Sequence, residues 1–145
     1  MPPSPLVRIA DGEDMIRACY PVMRELRPDI AEDEFVSRVH AQQAQGYRLA
    51  MLEDAGEVVA VAGFRISENL AWGRFLYVDD MVTLAAQRSR GFGGALLAWL
   101  RAHAREQGCA QLHLDSGFQR VDAHRFYERE GLSATGKHFA AVLPA

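Results

Sequence analysis

Lysine is nearly absent from this chain: of the sixteen lysines and arginines, Lys137 is the only lysine. Against 19 acidic residues the formal net charge is −3, so no global positive field favours nucleic acid. Cysteine is almost as scarce. Cys19 and Cys109 are the only two, far apart and in no CxxC pair, which reads as small hydrophobes in a reducing compartment rather than a disulfide. No His/Cys cluster has zinc-ligand spacing, so no metal is expected. No apolar run reaches the roughly 18 residues that a membrane span needs. The opening Met1-Pro2-Pro3-Ser4-Pro5 lacks the basic and apolar regions of a signal peptide, and its prolines predict a short frayed extension. These absences predict a cytoplasmic protein without nucleic-acid or membrane partners. No repeat, low-complexity tract or linker interrupts the 145 residues, so one domain over 1–145 is expected.

What is present is a regular alternation of patterns. Residues 6–9 read as an opening strand, and Asp11 offers a helix cap. Met15, Ile16, Cys19, Val22, Met23 and Leu26 then recur at helical spacing; Pro21 kinks or divides that helix and Pro28 ends it. A second helix is predicted over 31–45, with Phe35, Val36 and Val39 as its stripe and Gly46 closing it. Strands over 47–53 and 57–66 flank Asp54-Ala55-Gly56, a hairpin-type turn, and 75–84 is a third strand. Leu96, Leu97, Leu100 and Ala104 share one face of a helix over 91–107, which Gly108 stops. A short strand over 109–115 and a helix over 121–130 follow, and 135–143 could supply one or two final strands. Hairpins followed by a strand-helix-strand unit make an α/β (α+β) fold: a mixed, mostly antiparallel sheet with helices on both faces.

The most informative segment is Gln87-Arg88-Ser89-Arg90-Gly91-Phe92-Gly93-Gly94-Ala95-Leu96, where a strand gives way to a glycine-rich turn and a helix. Free N–H groups at a helix start attract phosphate, and glycines let the backbone come close. Arg88 and Arg90 can add charge-assisted hydrogen bonds. No Walker string is present, and Leu96 stands where a dinucleotide fingerprint needs a third small residue.

The pattern Arg88-x-x-Gly91-x-Gly93, followed by Gly94-Ala95-Leu96-Leu97, resembles the pyrophosphate-binding motif of the GNAT superfamily of N-acetyltransferases. A second match follows: Ala123, Phe126, Tyr127, Glu128, Gly131 and Leu132 fit the pattern of that family's last conserved helix. The stretches 79–83 and 113–125 further resemble an uncharacterised bacterial branch of it. The chain departs from the pattern at Ala85, often proline, at Ser89, often glycine, at Arg120, often asparagine, and at Leu132, often aromatic.

The resemblance implies two splayed parallel central strands, 75–84 and 109–115, with acetyl-CoA as co-substrate and no metal. It implies that the backbone of Met81, Val82 and Thr83 pairs with the pantetheine amides. The segment Arg88, Ser89, Arg90, Gly91, Phe92, Gly93, Gly94 and Ala95 would hold the pyrophosphate, with Ser116 and Arg120 near the pantetheine arm. Tyr127 is implied as proton donor to the departing sulfur, though Phe126-Tyr127 could equally pack the helix on the sheet. An alkylamine with a pKa of about 10.4 needs a proton acceptor at neutral pH. Asp79 and Asp80 stand out in an apolar strand. Alternation allows at most one of them to face a given cleft, and Asp80 is the favoured base over Asp115, Glu68, His113 and His138. An acceptor pocket is expected around 20–35 and around His138 and Phe139; Glu25, Asp29, Glu32, Asp33 and Glu34 could attract a cationic amine, although such a run is more often a solvated loop. The expected acceptor is a primary amine of a small molecule or peptide, attacking directly in a ternary complex, and the family allows a homodimer. The alternative is a non-catalytic acyl-CoA sensor on the same fold.

Overall fold

The structure, a computed structural model, describes residues 5–145, so the extension expected over 1–4 lies outside the described residues. It divides into two compact units, Met1–Leu114 and Asp115–Ala145. The first holds β1 (Leu6–Ile9), α1 (Glu13–Ala18), α2 (Tyr20–Leu26), α3 (Glu32–Gln43), β2 (Arg48–Asp54), β3 (Glu57–Asn69), β4 (Gly73–Thr83), α4 (Phe92–Glu106) and β5 (Gln111–Leu114). The second holds α5 (Val121–Arg129) and irregular chain.

The five strands form one sheet in the order β1-β2-β3-β4-β5. The first three pairings are antiparallel, and β4 and β5 run parallel. Hairpin chemistry fixes the β2–β3 register: Asp54 faces Glu57 across Ala55 (φ 52°) and Gly56 (φ 82°), two consecutive left-handed residues. Alternation then sends the apolar sets to opposite faces. Leu49, Met51, Val61 and Val82 pack with Ile16, Cys19 and Val22 of the N-terminal helices and Phe35 and Val39 of α3. On the other face Phe64 meets α4 edge-on, with ring centroids 6.3 Å from Trp99 and 5.5 Å from His103.

Three expectations are corrected. Asp11 does not cap the first helix: Gly12 occupies that position at φ 87°, with no side-chain cap bond. The chain divides at Cys19, which ends α1 and precedes α2 with Pro21 in its first turn. No strand forms over 135–143. Its Phe139, Val142 and Leu143 stay exposed, with no neighbouring strand to pair them among the described residues. No helix among the described residues is long and apolar enough to cross a membrane.

Candidate active site

Two features of β4 shape the site. The first is a bulge. Gly63 pairs with Asp80 but Phe64 pairs with Val78, so Asp79 is an extra residue on β4. A regular strand would send Asp79 and Asp80 to opposite faces. The bulge instead places both on one cavity, correcting the expectation that only one could face a cleft. The second is the end of the parallel ladder. Pairing with β5 stops at Val78–Leu114, while β4 runs on to Thr83 paired only with β3. Met81, Val82 and Thr83 therefore carry a strand edge with no paired strand among the described residues.

That edge leads into the glycine turn. Arg88 is exposed, Ser89 lies at φ 68° and Gly91 at φ 82°, a left-handed pair that swings the chain into α4. No side chain caps α4. Its first internal bond runs from the Ala95 N–H to the Gly91 carbonyl, 3.0 Å, so Ala95 is already satisfied. The N–H groups of Gly91, Phe92, Gly93 and Gly94 have no backbone acceptor among the described residues, at the positive end of a 15-residue helix. Phe92 is not in the turn's opening; its ring is buried, with the Arg90 guanidinium over it at 4.9 Å. Arg90 itself is held by Gln87 Oε1 at 2.6 Å and by Asp54 at 3.6 Å. Arg88 has no such partner among the described residues and is an available cation of the turn. An uncapped helix start, close-approach glycines and a loose arginine fit a diphosphate.

The cavity, about 610 Å³, lies on the α1–α3 side of the sheet. Met23, Ile30, Phe35 and Val39 form an apolar wall, Arg27 and Arg38 stand beside it, and Gln42, Tyr47, Tyr77, Asp79 and Asp80 complete the lining. Asp80 Oδ1 accepts from Arg27 Nε at 3.0 Å and Oδ2 from the Tyr47 hydroxyl at 2.9 Å. Asp79 Oδ2 accepts from Arg65 Nε at 2.8 Å, and Arg65 also donates to Gln42 Oε1 at 2.6 Å. Burial, then the charge of Asp80, push the Tyr47 phenol far above its ordinary range, so it stays a donor. Tyr47 reaches Asp80 only because residue 63 is glycine: a Cβ there would sit 1.8 Å from the Tyr47 oxygen.

The acidic residues expected to draw a cation do not line this cavity. Arg17 takes Glu32 at 2.9 Å and Asp33 at 2.8 Å, Glu34 pairs with Arg38 at 3.5 Å, and Glu25 accepts the Ala85 N–H at 2.9 Å. Of the rival bases, His113 stacks on Trp72 with centroids 3.5 Å apart, and burial lowers its pKa. Glu68 pairs in register with Arg74 near the β3–β4 hairpin end, and His138 lies 3.5 Å from Asp115.

In the second unit Ser116, Arg120 and Tyr127 lie on and before α5. The Ser116 hydroxyl is inaccessible and has no hydrogen-bond partner among the described residues. Burial raises the Tyr127 phenol, against an opposing effect from Arg120, so the hydroxyl keeps its proton at neutral pH. Its ring lies 5.3 Å from that of Phe126.

The sequence from 10 to 132 matches the acetyltransferase (GNAT) family. The chain belongs to that family. It is 37% identical over 109 residues to the uncharacterized N-acetyltransferase YhdJ of Bacillus subtilis, covering 74% of this chain and 77% of that protein. It is 34% identical over 98 residues to the aminoalkylphosphonate N-acetyltransferase of Salmonella typhimurium, covering 67% of this chain and 62% of that enzyme. Among solved structures, the aminoglycoside N-acetyltransferase AAC(6')-Iy in complex with CoA superposes with a TM-score of 0.85 at 14% identity, over 100% of this chain and 99% of that one. The GNAT fold is thus shared well beyond recognisable sequence.

The cavity lining takes in Met23, Arg27, Ile30 and Phe35 from the stretch 20–35 where a pocket was expected, while Tyr47, Gly63, Arg38 and Arg65 were not singled out from the sequence. One signal was available: an isolated glycine inside an apolar strand marks a bulge or a close approach. Gly63 is both.

Proposed function

We propose that this GNAT enzyme transfers the acetyl group of acetyl-CoA to a primary amine of a small molecule or peptide, by direct attack in a ternary complex. The observation that carries the reading is the uncapped start of α4, with the N–H groups of Gly91 to Gly94 next to exposed Arg88. In this reading those groups bind the diphosphate, with Ser89 and Arg90 shaping the turn. The open edge at Met81, Val82 and Thr83 takes the pantetheine amides, and Ser116 and Arg120 contact the arm. The chain acts as one catalytic domain, in keeping with a family match that runs through both units, and as a cytoplasmic enzyme.

Acetyl-CoA supplies an activated acyl carbon. The residues supply proton management. An ammonium must lose a proton before its nitrogen can form the new C–N bond. Asp80 receives it: its Oδ1 faces Arg27, its Oδ2 accepts one bond from Tyr47, and a carboxylate oxygen can accept a second. The nitrogen releases its second proton to solvent; as the C–S bond breaks, the Tyr127 phenol gives its proton to the sulfur and regains one from solvent, and Asp80 returns its proton to solvent as the products leave. The products are an amide and free CoA thiol. Amine acceptors in the relatives, an aminoalkylphosphonate and an aminoglycoside, support this class of reaction.

The test is thiol release from acetyl-CoA by the purified chain over an amine panel, with calorimetry of acetyl-CoA binding beside it. Turnover is expected, and Tyr127→Phe is expected to slow it with acetyl-CoA affinity nearly intact. Binding without turnover of any amine would favour the acyl-CoA sensor instead. No binding of acetyl-CoA would end both readings.

A further inference from the structure

The cavity carries more information than the family does. Its charged lining is balanced: Arg27 and Arg38 against Asp79 and Asp80, with Arg65 bonded to Asp79 from behind. The surrounding acids are engaged elsewhere, Glu32 and Asp33 by Arg17. A polycationic acceptor would find no surplus negative charge here. Arg27 is spent on Asp80, at 2.9 Å, and on the Asp79 carbonyl, at 3.3 Å. Arg38 is different. Its one ion pair among the described residues is an exposed i,i+4 contact with Glu34 at 3.5 Å, a weak kind of pair that leaves most of its five N–H donors available. In the same cavity Asp79 uses only Oδ2, leaving Oδ1 without a partner among the described residues. Phe35 and Val39 of the apolar wall line the same cavity.

Resting on the acetyltransferase reading above, we infer that the acceptor is a small zwitterionic amine: its ammonium goes to Asp79 and Asp80 and its anionic group to Arg38. A carboxylate and a phosphate or phosphonate are alike in offering oxygens to a guanidinium. Arg38 is then the residue that sets acceptor specificity, by recognising a group remote from the reacting nitrogen.

The experiment uses the full chain, acetyl-CoA and matched amines: β-alanine against β-alaninamide, phosphoethanolamine against ethanolamine, and spermidine as the polycation. The amide's amine is less basic than that of β-alanine, so any bias from the free-base fraction runs against the expected result. The anionic member of at least one pair should have a kcat/KM about tenfold or more above its neutral partner and above spermidine, the discrimination expected of a charge-assisted hydrogen bond. Which pair shows the larger ratio separates carboxylate from phosphate. Arg38→Gln should collapse that ratio, chiefly through KM, and Arg38→Lys should restore part of it. Equal or inverted ratios in both pairs, or a ratio untouched by Arg38→Gln, overturn the inference. Turnover confined to neutral or polycationic amines removes this inference and leaves acetyl transfer standing. Failure of every amine to release thiol removes both.

Discussion

The two faces of the sheet are built from the same strands, yet one is dry and the other opens into a polar cavity. On the α4 face, Phe64 is 1% exposed and meets Trp99 and His103 of α4, whose Leu96, Leu97 and Leu100 are buried as well. One residue earlier on the opposite face, Gly63 leaves a gap in the row Leu49–Gly63–Asp80, and the Tyr47 hydroxyl occupies it. The difference comes from a missing Cβ and an extra residue on β4, not from a change in strand type. A sheet can thus carry a site on one face while the other face continues as uninterrupted core.

The largest effect should come from breaking the dry face. Phe64→Ala is expected to cost about 3–5 kcal/mol, the usual range for a buried aromatic, read by chemical denaturation. A loss under about 1 kcal/mol, the level of ordinary surface changes, would mean that this face is not the rigid one. Next comes the polar face. Gly63→Ala forces Tyr47 away from Asp80, and overpacking of this kind costs about 1–3 kcal/mol. Acetyl transfer should fall more steeply than stability, because the carboxylate loses its Tyr47 donor. Tyr47→Phe, which removes only the hydroxyl, should cost about 1 kcal/mol. Equal activity in wild type and Gly63→Ala would detach the gap from the chemistry.

The smallest effect concerns Cys19, beneath the same helices. Burial pushes its thiol up from 9.0 to about 12. The protonated thiol therefore adds stability in full below pH 9. That contribution is lost as pH rises from 9 towards 12, because the unfolded thiol ionises first. The slope cannot exceed about 1.4 kcal/mol per pH unit for one group. Denaturation midpoints from pH 8 upwards should decline less steeply in Cys19→Ala. Tyr47, raised by burial, adds a decline of the same sign above pH 10. In the folded chain at pH 8 a thiol reagent should find Cys109 and spare Cys19.

Much of this was legible because it is local. Helical spacing located α3 and α4, the Asp54-Ala55-Gly56 turn fixed a hairpin, and Asp79 and Asp80 announced themselves as carboxylates in an apolar strand. The bulge was not legible. It exists only in the pairing of β3 with β4, and no single-strand pattern encodes which residue is extra. The Tyr47–Gly63–Asp80 contact is likewise a matter of register across three segments. The acidic run at the α2–α3 junction is a partly paired surface run rather than a cation trap: Arg17, fifteen residues before Glu32, pairs with Glu32 and Asp33, and Arg38 pairs with Glu34. The expected last strands failed for a different reason. A few apolar residues among alanine and glycine do not make a strand without a ladder to join.

One backbone detail at the glycine turn has a longer reach. Ser89 holds φ 68°, a conformation that costs an L residue about 1–2 kcal/mol. The loop is therefore sprung even at rest, and its tension is borne by the core beneath it. A lineage carrying glycine at that position would start with a reserve of thermal tolerance that this chain has forgone. In laboratory evolution for heat resistance, position 89 is where relief would surface early.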